Sequence, residues 1–155
     1  FGLIPRLNAA GRLDHPVVSL ELLTATSLEA AEPLARSLEG MNAQRQQLTK
    51  QGVTEALRQV EAELDSPGGM ASTIIVESQR WIPGILGLIA ARLAEQFYRP
   101  AVALSVENGI SRASARSIPE FDIVDALAEC RDLFTRFGGH PQAAGFTMPA
   151  ASMWA

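Results

Sequence analysis

From Leu28 to Leu64 apolar side chains recur at steps of mostly three and four: Leu34, Leu38, Met41 and Leu48, then Val53, Leu57, Val60 and Leu64, with Arg, Gln and Glu between them. That period lays one apolar stripe along a helix whose other faces are polar. Thr26 followed by Glu29 has the spacing of a capping box, so the helix is expected to start near Ser27. Unbroken over 28–64 it would run about 55 Å at 1.5 Å per residue, longer than a compact domain of this size needs, and it reads as an arm. Pro33, Gly40 and Gly52 are the places where it would kink or split, and Ser66, Pro67, Gly68 and Gly69 end it. Ahead of it, residues 1–18 read as a turn-rich lead-in with little regular structure, punctuated by Pro5, Gly11 and Pro16.

Beyond residue 70 the period changes. Thr73–Glu77 is a short β-branched run; Gly84–Tyr98 is an apolar helix ended by Arg99 and Pro100; Ala101–Val106 is a second strand. Asn108-Gly109 is a strong hairpin signal joining that strand to Ile110–Ser117, so the pair should be antiparallel. Phe121–Phe137 predicts a second amphipathic helix with Ile123, Ala126, Leu127, Leu133 and Phe134 on one face, and Ala143–Met148 a last strand. The order β-α-β-β-α-β predicts an α/β fold: a mixed β-sheet packed against helices, preceded by a long helical arm. The expected divisions are 1–18 for the lead-in, 19–66 for the arm and 70–155 for the α/β domain.

Composition supports a folded chain. With 155 residues, 47% apolar and 19% charged, it has enough apolar side chain for an ordinary core and too little charge for disorder. Cys130 stands alone, no Cys/His spacing resembles a zinc site, and a reducing, cytoplasmic setting is expected. The longest apolar stretch, Ile82 to Leu93, is broken by Pro83, Gly84 and Arg92, so neither a membrane span nor a membrane partner is expected. No signal peptide stands at the start; the chain opens on Phe1 in mid-pattern and reads as a piece of something longer. The net charge of −4 argues against a broadly basic nucleic-acid binder. That acidity is local: residues 21–65 hold eight acidic and four basic residues, and the remainder holds nine of each. Of the basic residues twelve are Arg and one, Lys50, is Lys.

Three segments carry candidate chemistry. In Phe137-Gly-Gly-His-Pro-Gln-Ala-Ala-Gly145, small residues would let a backbone approach a ligand, and His140 would donate to an anion such as a phosphate; equally, Gly138 and Gly139 would cap a preceding helix. In Arg112-Ala-Ser-Ala-Arg-Ser117, period two puts Arg112, Ser114 and Arg116 on one strand face and Ala113, Ala115 and Ser117 on the other, either a phosphate clamp or an ordinary charged face. In Pro5-Arg-Leu-Asn-Ala-Ala-Gly-Arg-Leu13, Arg6, Asn8 and Arg12 would either offer a fork to an acidic ligand or pair with nearby carboxylates. With two histidines in the chain, no paired-carboxylate, Ser-His-Asp, Cys-His or metal-ligand constellation is found. Asp14-His15 is a poor metal pair, because adjacent side chains on an extended backbone diverge. Cys130 reads as a small buried hydrophobe, Trp81 and Phe97 as core, and Trp154 as a tail residue. The turn Trp81-Ile-Pro-Gly84 opens the apolar helix, whose first amides would face an anion or be capped by their own loop.

Taken in order, PRLNAAGRLD at 5–14, the W-x-x-G-x-x-G-x-x-A-x-R-L frame at 81–93, RPAVAL at 99–104, SARSI at 114–118, DAL at 125–127 and FGGHPQAAGF at 137–146 resemble the RecJ-type single-stranded-DNA-specific exonucleases of the DHH phosphoesterase superfamily, in the DHH-associated domain of their catalytic core. The likeness covers residues 1 to about 148; the family's closing helix and oligonucleotide-binding fold find no match after Met148. The resemblance implies an α/β domain that grips single-stranded DNA for 5′-to-3′ exonucleolytic hydrolysis in recombination and repair. A separate DHH domain would hold Mn²⁺ or Mg²⁺ and do the chemistry, so this chain would have no cofactor and no catalytic residue of its own and would be inactive alone. Its partners would be single-stranded DNA and the parent's DHH and oligonucleotide-binding domains. Carried over position by position, Arg6, Asn8, Arg12, Ser114, Arg116, Gly138, Gly139 and His140 would bind the strand or its 5′ phosphate. Two positions depart from the family pattern: Ile82 stands where a His is usual, losing a polar contact, and Ala113 where a Gly is usual, narrowing a backbone approach. The same GGHxxAAG element occurs in DHH phosphoesterases for oligoribonucleotides or cyclic dinucleotides, the alternative within the superfamily; the alternative outside it is a non-enzymatic α/β module binding a small anion or partner. The near-neutral balance outside the arm fits a narrow cleft on one strand better than a broad basic surface.

Overall fold

The computed structural model describes residues 2–65, 67, 69 and 71–153, and the chain divides into two compact units, residues 1–50 and 51–155. Ser66, Gly68 and Trp154, to which the sequence assigned an arm end and a tail, lie outside the described residues.

The first unit is helical over most of residues 3–24, which corrects the turn-rich reading of residues 1–18. Helix α1 spans Leu3–Leu13 and α2 spans Val17–Thr24. Pro5 sits in the first turn of α1, where a missing N–H leaves no intrahelical bond unmade, and Gly11 is carried by burial of Ala9 and Ala10 on the same helix. Pro16 marks only the break between the helices, and the Ser19 hydroxyl donates to the Leu7 carbonyl at 2.7 Å to tie α2 to α1.

Helix α3 is continuous over Leu28–Leu64, 37 residues, with Pro33 inside it. The Ala30 amide donates to the Ser27 hydroxyl at 3.3 Å, so the cap is Ser27 rather than Thr26. The Glu29 backbone amide and then the Ser27 hydroxyl hold the exposed Glu29 carboxylate below its ordinary pKa. Gly40 leaves open space around its missing side chain, whereas a Cβ at Gly52 would lie 2.6 Å from Ile89 Cδ1, so Gly52 is where a later helix packs closest.

The second unit is a five-stranded sheet in the order β1-β2-β3-β5-β4, with β1 Ile74–Glu77, β2 Ala101–Glu107, β3 Ile110–Arg116, β4 Arg136–His140 and β5 Ala143–Pro149. β1 pairs parallel with β2 and the other neighbours pair antiparallel, so the sheet is mixed as expected. Asn108 and Gly109 have φ of 50° and 76°, the left-handed pair a two-residue hairpin of this twist requires. Edge strand β1 is covered on its outer side by Gln59 of α3, whose amide donates to the Glu77 carbonyl at 2.8 Å and accepts from the Glu77 amide at 3.0 Å, as a neighbouring strand would.

Helix α4, Pro83–Phe97, packs on one sheet face over β2 and β3, burying Ile85, Leu86, Ile89, Ala90 and Leu93. At about 1.5–3 kcal/mol per fully buried aliphatic side chain, this row is a main source of the unit's stability. Helix α5, Ile123–Glu129, contributes Ile123 to the opposite face, in a core with Val102, Leu104, Ala113, Ala115 and Ala144. It is less than half the expected 121–137: Asp122 caps its start by accepting from the Val124 and Asp125 amides, a 3₁₀ turn follows at Arg131–Leu133, and the chain then enters β4. Phe134 and Phe137 also fit a helical spacing, but the Phe134 ring instead packs against those of Phe137 and Phe146, at centroid distances of 5.7 Å and 4.6 Å. Cys130, just past the end of α5, is exposed rather than buried, because the helix that was to carry it inward has stopped.

Candidate functional site

Period two along the antiparallel strands sorts the site. Cα partners in register share a face, so Arg116 lies in a row with Ala143 and His140, Ser114 with Gly145 and Gly138, and Arg112 with Thr147 and Arg136. These three rows are on the face that carries α4. Because α4 sits over β2 and β3, the β5 and β4 part of the face beside it stays open. Between them lies a cleft of about 480 Å³ lined by Pro83 and Leu86 of α4, by Arg112 and Ser114 of β3, and by Gly138, Gly145, Thr147 and Arg136.

Of the residues expected from the sequence, Arg112, Ser114 and Gly138 line this cleft. Arg116 is half-buried behind Ser114: its Nη1 donates to Ser114 Oγ at 3.2 Å and to the Ala115 carbonyl at 2.8 Å, and it borders a second cavity of about 260 Å³ with Ala91, Ala94 and Tyr98. Room for that guanidinium comes from α4: a Cβ on Gly87 would lie 2.7 Å from Arg116 Nη2 and 3.0 Å from Ser114 Oγ. His140 is exposed on the Arg116 row.

The two glycines of the FGGH element differ. The alternative of a helix cap does not hold, since both lie in β4. A Cβ on Gly138 meets nothing within 4 Å, so its bareness leaves the cleft floor open. Gly139 faces the other way, and a Cβ there would come within 2.3 Å of the Ala143 carbonyl oxygen and 2.6 Å of Ala144 Cα. Gly139 is therefore required by the β4–β5 hairpin itself.

Arg6, Asn8 and Arg12 all lie on α1 in the first unit. Arg6 pairs with Glu39, whose hydrogen bond and charge raise the guanidinium above its ordinary pKa, while Asn8 is exposed. Arg12 stands near Arg45, a residue not singled out from the sequence. Arg45 donates to Asn42 Oδ1 at 2.9 Å, its buried Nε has no partner among the described residues, and burial and then the charge of Arg12 draw its guanidinium below the ordinary value.

The corner that sets α4 in place is held by Glu55 of α3, also missed. Its carboxylate accepts from Ser78 Oγ at 3.0 Å, from Arg80 at 2.6 Å and from Trp81 Nε1 at 3.1 Å. Burial pushes the carboxyl up, but these hydrogen bonds and the Arg80 charge outweigh it, and its pKa lies below the ordinary range. Trp81 is core, as expected, at 4% exposure. The start of α4 has no side-chain cap, Pro83 being its first residue.

Among the described residues no group of three or more His, Cys, Asp or Glu side chains is placed to hold a metal ion, and His15 Nδ1 instead accepts from the Val17 amide. The donor set on the open face, guanidinium, hydroxyl, imidazole and bare backbone, suits a phosphate and not a divalent cation. Arg136 was missed because the pattern ran a helix through it. The signal that could have found it is the pair of small-residue runs flanking Pro141-Gln142, which the structure forms into a hairpin. No helix among the described residues is long and apolar enough to cross a membrane.

Comparison with known proteins gives a consistent result. Residues 70–153 match the DHHA1 domain family. The chain is 40% identical over 152 residues to the single-stranded-DNA-specific exonuclease RecJ of Bacillus subtilis, covering 97% of this chain and 19% of that protein. It is 36% identical over 157 residues to the Escherichia coli RecJ, covering 96% and 26%. Among solved structures, RecJ of Thermus thermophilus in complex with Mn²⁺ superposes with a TM-score of 0.85 at 33% identity, over 97% of this chain and 22% of that one. A second exonuclease RecJ bound to manganese gives 0.81 at 34% identity, over 97% and 36%. The chain thus spans about a fifth to a quarter of the length of these curated relatives.

Proposed function

We propose, from the premise that this chain belongs to the DHHA1 domain family, that it is the strand-gripping part of a RecJ-like 5′-to-3′ single-stranded-DNA exonuclease acting in recombination and repair. The observation that carries this reading is the hydrogen-bonded pair Ser114–Arg116 on the same sheet face as Gly138 and His140. A guanidinium and a hydroxyl together satisfy phosphate oxygens with directed, charge-assisted bonds, and the uncovered Gly138 lets the sugar-phosphate chain approach the backbone. Ser114, Arg116 and His140 hold the 5′ phosphate; Arg6, Asn8 and Arg12 bind the strand on the first unit. Gly139 serves the site by shaping the hairpin that presents His140.

Hydrolysis belongs, in this reading, to the parent enzyme's DHH domain with its Mn²⁺ or Mg²⁺. This chain positions the strand and neutralises charge at the phosphodiester, work that needs preorganised donors and no ligand for a metal. The parent's DHH and oligonucleotide-binding domains are its partners.

Binding of a labelled 5′-phosphorylated single strand, read by fluorescence anisotropy across a salt series, tests the site. Arg116→Ala is expected to weaken binding roughly tenfold, the scale of one charge-assisted contact. An unchanged affinity and salt slope would remove Arg116 from the site. The division of labour is tested by incubating the chain with single-stranded DNA and Mn²⁺: no cleavage is expected, and nuclease activity that copurifies with the protein would refute it.

A further inference from the structure

We propose that Arg112, Thr147 and Arg136 form a second phosphate subsite, which holds the continuing strand while Ser114 and Arg116 hold its end. The proposal rests on the nucleic-acid reading above and extends it to residues on strands β3, β5 and β4 that the end-binding reading does not use.

The register places these three side chains side by side. Thr147 is the Cα partner of Arg112 on one side and of Arg136 on the other, so a hydroxyl stands between two guanidiniums on one face. All three line the 480 Å³ cleft. The row holds no carboxylate, its β2 member being Ser105. Four arginines elsewhere in the chain pair with acids: Arg6 with Glu39, Arg36 with Glu32, Arg80 with Glu55 and Arg92 with Glu95. Arg112 and Arg136 have no hydrogen-bond or ion-pair partner among the described residues, and both are exposed. Two exposed guanidiniums flanking a hydroxyl can grip one phosphate through directed, charge-assisted bonds.

The spacing fits one strand crossing two rows. Arg112 and Arg116 are four residues apart on β3, about 13 Å between Cα atoms at 3.3 Å per residue, and the Arg116 guanidinium is held on Ser114, midway between them, beside Gly87 of α4. With Arg116 fixed on Ser114 and half-buried, and Arg112 exposed in the row of Thr147 and Arg136, the two rows are placed to serve different phosphates. Between them the floor is Gly138 paired with Gly145, with no side chain to obstruct a backbone passing over it. The cleft is also lined by Pro83 and Leu86 of α4, uncharged and apolar. A cleft with both cationic and apolar lining suits a single strand, which has a charged backbone and flat apolar bases.

The test uses the 155-residue chain with 5′-phosphorylated oligothymidylates from two to twelve nucleotides, with anisotropy measured over a salt series. The wild-type protein is expected to gain affinity with length. Arg112→Gln with Arg136→Gln is expected to lose most of that gain, at least tenfold for the twelve-mer relative to the dinucleotide, and to lower the slope of log K against log salt by about 0.7 for each phosphate no longer neutralised. Arg112→Lys with Arg136→Lys is expected to restore the slope, which a loss of folding or packing would not predict. An unchanged length dependence in the glutamine variant, while Arg116→Ala still weakens binding, would overturn the second subsite alone. Polyglutamate competing as well as DNA of equal charge would overturn it as a phosphate site. Failure of the wild-type chain to bind any strand would overturn the reading on which it rests as well.

Discussion

The two faces of the sheet are built from the same strands, yet they differ in almost everything that matters for function. On the α5 face, Val102, Leu104, Ala113, Ala115 and Ala144 close into a core with Ile123, and Phe134, Phe137 and Phe146 stack at its margin. On the α4 face the alternate residues of β3, β5 and β4 are Arg112, Ser114, Arg116, Gly145, Thr147, Arg136, Gly138 and His140. Alternation alone makes such two-faced strands ordinary. What is particular here is coverage: α4 shields the β2–β3 half of its face and stops there, so polar side chains line a cleft with a helix for one wall. The apolar face holds the strands in register, and the polar face uses that register.

Adjacent glycines offer the hardest test of this contrast. Gly139→Val would force a side chain into the Ala143 carbonyl and Ala144, and is expected to destabilise the second unit by about 3 kcal/mol or prevent its folding, as read by chemical denaturation. The Glu55 clamp comes next, because it fixes the corner from which α4 covers the polar face. Glu55→Gln is expected to cost about 2 kcal/mol, since charge-assisted bonds to Arg80, Ser78 and Trp81 are weakened together. Its pH dependence has a definite sign. The folded-state pKa is lowered, so the stabilisation is present above the unfolded value of about 4.3 and is lost as pH falls through the folded one. Denaturation of the Gln variant should therefore vary less with acid pH than that of the wild type, and equal slopes would refute the clamp. The smallest effect on folding is expected from Gly138→Val: its Cβ meets nothing, so stability should change by less than about 0.5 kcal/mol while strand binding falls severalfold. If both glycine variants unfolded, or neither affected binding, the division of labour between the faces would be wrong.

Local signals were read well wherever one short segment decided its own conformation. Asn108-Gly109 makes the hairpin because those two residues tolerate positive φ, whatever surrounds them. The 28–64 stripe makes one helix, which continues through Pro33. Misreadings arose where a local pattern fitted two outcomes. Pro5 and Gly11 resemble loop punctuation but are tolerated in α1 by position and packing. Leu133, Phe134 and Phe137 fit a helical face, yet pairing of β4 with β5 draws the chain out of the helix after Glu129. Glu55 and Gln59 looked like polar helix surface, and only the β1–α4 corner beside them makes them structural.

By itself the sequence determined that Arg112, Ser114 and Arg116 share a strand face and that Ala113 and Ala115 share the other, and its ordered motifs carried the resemblance to a family. The shared faces follow from a period of two, which needs no partner. Only the tertiary structure decided that Arg136 stands beside Thr147 and Arg112, that Gly138 opens a cleft while Gly139 closes a turn, and that α4 covers half of one face. Strand order and register are settled by backbone bonds and buried area between segments far apart in the chain, and a one-residue slip would have turned every one of these side chains to the opposite face.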